Sequence, residues 1–164
     1  MKAAEKIVTR SHIEAFIEHI KSSGSHIVFT NGCFDILHVG HARYLAQARE
    51  LGDYLVVGLN SDVSVRGLKG DSRPVIPEDE RAEMLAHLEC VDCVCLFDEL
   101  RPDNLIELVR PHIHAKGGDY TAEQLPEAEV VRRNGGRVEI LSLFEGKSTT
   151  NIVEKIKNLC EFGS

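Results

Sequence analysis

The sequence has no apolar run approaching the roughly 20 residues that a membrane-spanning helix needs. Its first residues, Met1-Lys2-Ala3-Ala4-Glu5-Lys6, have no apolar stretch of the kind a secretory signal carries. A cytoplasmic location is therefore expected. An excess of positive charge is also missing: 19 lysines and arginines stand against 26 aspartates and glutamates, for a formal net charge of −7. That excludes non-specific attraction to nucleic acid or anionic membranes, so a site for a polyanion has to be built locally. The five cysteines are odd in number and sit mostly inside apolar runs, which argues against a disulfide framework. There is no internal repeat, low-complexity segment or linker, and 164 residues suit one domain, with 1–25 as a helical extension and 26–160 as the core. Hydrophobic content of 43% and charged content of 27% are those of a soluble globular enzyme.

What the sequence does have is an alternation of short apolar runs with segments of helical period. Ser11 is placed to cap a first helix with Ile13, Phe16, Ile17 and Ile20 at helical spacing. The runs 26–30, 54–60, 91–97, 113–116 and 137–143 predict five strands, and 54–60 is nearly all apolar, as a parallel strand covered on both faces should be. Helices are predicted over 42–51, 78–89 with Met84, Leu85 and Leu88 buried, 104–110, 125–134 and 151–159. Strands joined by helices call for an α/β, doubly wound, Rossmann-like parallel sheet with helices on both faces and ligands at the carboxyl ends of the strands. Polar, glycine-containing stretches follow the first, second, fourth and fifth strands, and the one at 61–77 reads as a long loop.

The stretch after the first strand, Asn31-Gly32-Cys33-Phe34-Asp35-Ile36-Leu37-His38-Val39-Gly40-His41, concentrates the chemistry. A strand running through a glycine loop into a helix offers unpaired N–H groups and the positive end of the helix dipole to a phosphate. His38 and His41 stand three apart at that helix start, and Gly40 between them lets phosphates approach the backbone. Ser148-Thr149-Thr150, beside Lys147, forms a second hydroxyl-rich helix start. Each feature has a plainer reading. The histidines could be solvated caps or, with Cys33 and Asp35, zinc ligands; Arg66, Lys69 and Arg73 could be a solvated loop. Cys93 and Cys95, on one strand face, read better as small buried hydrophobes than as metal ligands. The residues alone thus define a nucleotide-binding α/β domain without fixing a reaction.

Four blocks, Asn31–Asp35, His38–His41, Gly117-Gly118-Asp119-Tyr120 and Ser148–Thr150, in this order resemble the cytidylyltransferase-like nucleotidyltransferases. The longer strings 68–75, 116–120 and 147–152 look most like the members that adenylylate D-glycero-β-D-manno-heptose 1-phosphate. Glu89 stands where the cytidylyltransferases tend to have an arginine before Val91-Asp92, a departure from the CTP-using pattern. The resemblance implies direct in-line transfer of AMP from ATP to a sugar 1-phosphate with Mg²⁺, for lipopolysaccharide core precursors. It implies that His38, His41 and Lys69 stabilise the reacting phosphates. Asn31, Gly32, Cys33, Phe34, Gly40, Gly117, Asp119, Tyr120, Ser148, Thr149 and Thr150 then border the nucleotide. Asp35, Arg66 and Arg73 are assigned to the sugar phosphate, with Arg81 equally suited to a structural ion pair. Relatives are often homodimers. In many bacteria the activity is fused behind a sugar kinase, so a stand-alone form or an excised domain is expected. Glycerol 3-phosphate cytidylyltransferase, FMN adenylyltransferase and a non-catalytic nucleotide-binding module are the alternatives.

Overall fold

A computed structural model describes residues 2–118, 121, 124–142 and 149–161, the last two of these for their backbone alone. The expected site residues Asp119, Tyr120 and Ser148 lie outside the described residues. Five strands, β1 (Ile27–Gly32), β2 (Tyr54–Asn60), β3 (Cys93–Phe97), β4 (Ile113–Gly117) and β5 (Arg137–Leu141), form one sheet in the order β3-β2-β1-β4-β5. Every pairing is parallel, so the sheet is the doubly wound, Rossmann-like one that the alternating pattern predicts.

Helices α3 (Val39–Arg49) and α5 (Glu78–Ala86) cover one face and α2 (Ile13–Ser22), α6 (Asp103–Val109) and α7 (Ala128–Arg133) the other. On the first face Leu45, Ala48 and Leu85 pack on Val28, Leu55 and Val57; on the second Ile13, Ile17, Ile106 and Val131 pack on Ile27, Phe29 and Val56. Cys93 and Cys95 belong to this second core and are fully buried, in keeping with the hydrophobic reading. A four-residue helix, α1 (Ala3–Lys6), precedes the expected elements and is tied down by Lys6 Nζ, which donates to the carbonyls of Leu88 and Val91 at 3.1 and 2.6 Å. The last helix, α8 (Thr149–Glu161), starts two residues earlier than its apolar spacing indicates.

Three expectations need correction. His12, not Ser11, is the N-cap of α2, and Ser11 Oγ instead meets Thr9 and His12 side chains. The stretch 61–77 is not all loop: its first half is α4 (Asp62–Lys69), capped by Ser61 Oγ, which accepts from Ser64 N at 3.3 Å. The helix is only eight residues long and ends among Arg66, Gly67, Lys69 and Gly70, whose charge and glycines read as loop; of α4 only Ser64 and Val65 are buried. In α5 the inward position belongs to Arg81, while Met84 is 55% exposed.

Arg81 is fully buried and each arm of its guanidinium has a partner. Nε donates to Ile76 O at 2.9 Å, Nη1 to Cys33 O at 2.6 Å and Asn60 O at 2.8 Å, and Nη2 meets Asp62 Oδ1 at 2.7 Å. One planar fork thus joins the ends of β1 and β2, the start of α4 and the turn before α5. Replacing the buried Arg81 by alanine leaves three carbonyls, that of Asn60 buried, and a carboxylate without this donor, and should cost about 3 kcal/mol or more of stability. R81K, whose single ammonium cannot span four acceptors, should recover only part of it. Urea unfolding midpoints of the three proteins check both statements.

Candidate active site

The site begins where two neighbouring strands separate. β1 pairs with β2 over six residues but with β4 only at Val28↔Ile113 and Phe29↔His114. This is the point where strand order reverses, and the crevice that opens there is the ligand position in sheets of this kind. Beyond it, side chains replace the ladder. On the α3 side the Tyr44 hydroxyl donates to Ala115 O at 3.0 Å and accepts from Thr30 Oγ1 at 2.7 Å. Burial pushes Tyr44 up to about 12, so the hydroxyl keeps its proton.

After β1 the chain turns through Phe34, at φ +44°, and enters α3 with His38 as N-cap. His38 Nδ1 accepts from Gly40 N at 3.1 Å, which leaves the proton of the neutral ring on Nε2. The His38 and His41 rings stack with centroids 3.8 Å apart, and Phe34 meets His41 edge-on at 5.3 Å. Burial, and then the neighbouring His38, depress His41 from 6.5 to about 4. The ring is therefore neutral at pH 7, and a neutral imidazole can donate to phosphate without carrying the full desolvation cost of a cation.

A cleft of about 480 Å³ opens over this helix start. Of the expected residues, Asn31, Gly32, Cys33, Phe34, Asp35, His41, Lys69, Arg73, Thr149 and Thr150 line it. The two helix starts are in contact range, since Thr149 Oγ1 donates to Ile36 O at 3.4 Å. His38 stacks on His41 without itself lining the cleft, and Gly40 is buried in the first turn of α3. Arg66, exposed in the last turn of α4, and Gly117, at the end of β4, are not among the lining residues. Burial pushes the Cys33 thiol up, away from the thiolate form.

Asp35, expected at the sugar phosphate, is already engaged. Its carboxylate receives Arg73 Nε and the backbone N–H groups of Val75 and Ile76, at 2.8 and 2.9 Å. Burial alone would raise this carboxyl; the hydrogen bonds from Ile76, Arg73 and Val75 outweigh it and hold the group below the usual range. Asp35 therefore fixes the loop carrying Arg73 as a wall of the cleft.

Other lining residues went unmarked in the sequence. Leu100, Arg101 and Pro102 come from the connection after β3. That connection obeys the same strand-end rule as the others and could have been found by it. Asn60 closes β2 and is held by its own bond from Nδ2 to Ser64 Oγ at 2.9 Å. Lys116 and Glu127 also line the cleft as an ion pair at 2.8 Å, with Glu127 buried just before α7. Nothing in the local sequence distinguishes Glu127 from a surface acid.

Fold and site together define a nucleotidyltransferase, and the chain belongs to the cytidylyltransferase-like family, whose profile matches residues 29–155. It is 56% identical over 151 residues to the Bifunctional protein HldE of Pelobacter propionicus, covering 92% of this chain and 31% of that protein. The HldE of Geobacter sulfurreducens is 57% identical over 136 residues, 83% of this chain and 28% of that protein. The chain thus spans about a third of the length of these curated relatives. A crystal structure of a lipopolysaccharide core biosynthesis protein from Thermoplasma volcanium matches with a TM-score of 0.60 and 30% identity, over 76% of this chain and all of that one. A protein of unknown function from Archaeoglobus fulgidus, 22% identical with a TM-score of 0.56 over 74% of this chain and 93% of its own, shares the fold. No helix among the described residues is long and apolar enough to cross a membrane.

The buried histidines give stability a pH dependence whose sign is fixed. Burial lowers His41 to about 4, and burial with Lys116 nearby lowers His114 to about 3, both from 6.5. Below pH 6.5 the unfolded chain takes up protons that the folded chain does not, so stability is complete above about pH 6.5 and falls between there and pH 4. Melting temperatures in that window should decline, and H114F should flatten the decline by removing one of the protons.

Proposed function

We propose that this chain transfers AMP from ATP to D-glycero-β-D-manno-heptose 1-phosphate, giving ADP-heptose and pyrophosphate for lipopolysaccharide core precursors. The observation that carries the reading is the stacked His38/His41 pair on the α3 N-terminus, beneath a cleft that also gathers Lys69, Thr149 and Thr150. The relatives named HldE and the lipopolysaccharide core biosynthesis protein support the choice of pathway.

In this mechanism a sugar-phosphate oxygen attacks the α-phosphorus in line, the new P–O bond forms, and the bond to the β-phosphate oxygen breaks with pyrophosphate leaving. The attacking oxygen is already anionic, so no enzyme base or nucleophile is required. The two imidazoles donate hydrogen bonds to the charge that grows on the α-phosphate and the leaving oxygen. The N–H groups of the α3 first turn reinforce them. Lys69 at the end of α4 and the hydroxyls of Thr149 and Thr150 hold the β- and γ-phosphates, so that catalysis is largely positioning and charge stabilisation.

The cleft carboxylates Asp35 and Glu127 already face Arg73 and Lys116, and no group of three or more metal-ligating side chains occurs among the described residues. A Mg²⁺ arriving with ATP fits such a site when held by phosphate oxygens and water. When bound it supplies neutralising charge along the triphosphate.

Pyrophosphate release should be seen with ATP and heptose 1-phosphate, and not when CTP, GTP or glycerol 3-phosphate replaces either substrate. Equal release with CTP would overturn the nucleotide assignment. H38A and H41A should each lose about 3 kcal/mol of transition-state stabilisation, a rate loss of 10² to 10³, with far-ultraviolet circular dichroism unchanged. Near-normal turnover of both variants would remove the histidines from the mechanism.

A further inference from the structure

On the face of the sheet opposite Tyr44, the parting of β1 and β4 is bridged by a second polar group. Asn31 Oδ1 lies 3.2 Å from His114 Nε2 and 3.3 Å from Lys116 Nζ, and Lys116 Nζ is 2.8 Å from Glu127 Oε1. Phe29 and Asn31 on β1 and His114 and Lys116 on β4 share this face, as their alternation and the Phe29↔His114 register require. An ammonium only donates, so the Asn31 atom facing Lys116 has to be the oxygen. His114 must then donate to the same oxygen from Nε2. Its Nδ1 is buried without a hydrogen-bond partner among the described residues, consistent with a lone pair there.

The consequence falls on the other half of the amide. With its oxygen held by two donors, Asn31 cannot flip, its two N–H bonds are turned away from that pair, and Asn31 lines the cleft at the strand-order reversal. A fully buried histidine with an orphan nitrogen, beside a part-buried lysine paired to a buried glutamate, is a costly arrangement that an apolar set of similar volume would replace if only the fold were served. We propose that His114 and Lys116, backed by Glu127, are positioning residues that lock the Asn31 amide so that its N–H bonds are offered to an acceptor oxygen of the bound nucleotide. This rests on the reading of the cleft as a nucleotide site.

Nucleotide binding by calorimetry and side-chain nitrogen NMR on the whole chain test the lock. The His114 ring should show the neutral Nε2–H tautomer from pH 5.5 to 8.5, and saturating ATP should shift the Asn31 side-chain amide. N31A and N31D should each raise the Kd for ATP on the order of tenfold to a hundredfold, the loss of a donor to a charged oxygen. H114F should weaken ATP binding and add nothing further in an N31A background, whereas H114Q, which retains a donor, should restore most of it. Additive effects of H114F and N31A, or an Nδ1–H tautomer, would overturn the lock. Wild-type protein that binds ATP while all variants bind it equally well overturns this inference alone. Wild-type protein that binds none of ATP, CTP and GTP overturns the nucleotide reading itself.

Discussion

The Arg81 guanidinium is the interaction on which the cleft depends. A buried cation is tolerable only with every donor satisfied, and here the satisfying groups are the loose ends of four elements: Cys33 O, Asn60 O, Ile76 O and the Asp62 carboxylate. Backbone carbonyls at strand ends need donors wherever the ladder stops, and a single rigid fork supplies two of them, Cys33 O and Asn60 O, along with Ile76 O in the turn before α5. The same fork fixes the start of α4, whose far end carries Lys69, and the turn next to Arg73. Residues separated by some forty positions in sequence are thereby held around one space.

That space exists because β1 and β4 stop pairing after two residues. A parallel sheet that kept its ladder to the strand ends would leave no opening between Asn31 and Lys116. The gap is closed on one side by the Tyr44 hydroxyl and on the other by the Asn31 amide. The Tyr44 hydroxyl donates to a backbone carbonyl of β4, Ala115 O, while Asn31 Oδ1 ties two β4 side chains, His114 and Lys116, to β1. The first turn of α3 then projects into it with His41 uncharged, and the positive end of the helix is the local field available to an anion.

Much of this was legible in the sequence. The strand alternation, the glycine loop after β1 and the histidine spacing at the α3 start all express local rules, and the structure follows them. What escaped has a common physical cause: it depends on partners distant in sequence. Met84 is exposed where its spacing predicts burial, and Arg81, whose structural ion pair with Asp62 is one of the two readings the sequence allows, is buried because Cys33, Asn60 and Ile76 accept from it, partners α5 meets only in the folded chain. α4 hides because its two turns, with Val63, Val65 and Leu68 as their only apolar residues, lie in a stretch of charged side chains that includes Gly67 and Gly70, which reads as loop. The buried Glu127 has its ion-pair partner, Lys116, on another element, β4. Arg101 is different, since the strand-end rule reaches it once β3 is treated like its neighbours.

Asp35 anchors the loop of Arg73, Val75 and Ile76 through one side-chain and two main-chain donors, with no substrate atom needed to complete the set. A wall ordered in this way costs little conformational entropy when a ligand comes to rest on it. The heat-capacity change of binding against that wall should then reflect surface desolvation, with little contribution from a loop folding around its guest. Asp35 thus moves the ordering of this part of the cleft from the moment of binding to the moment of folding.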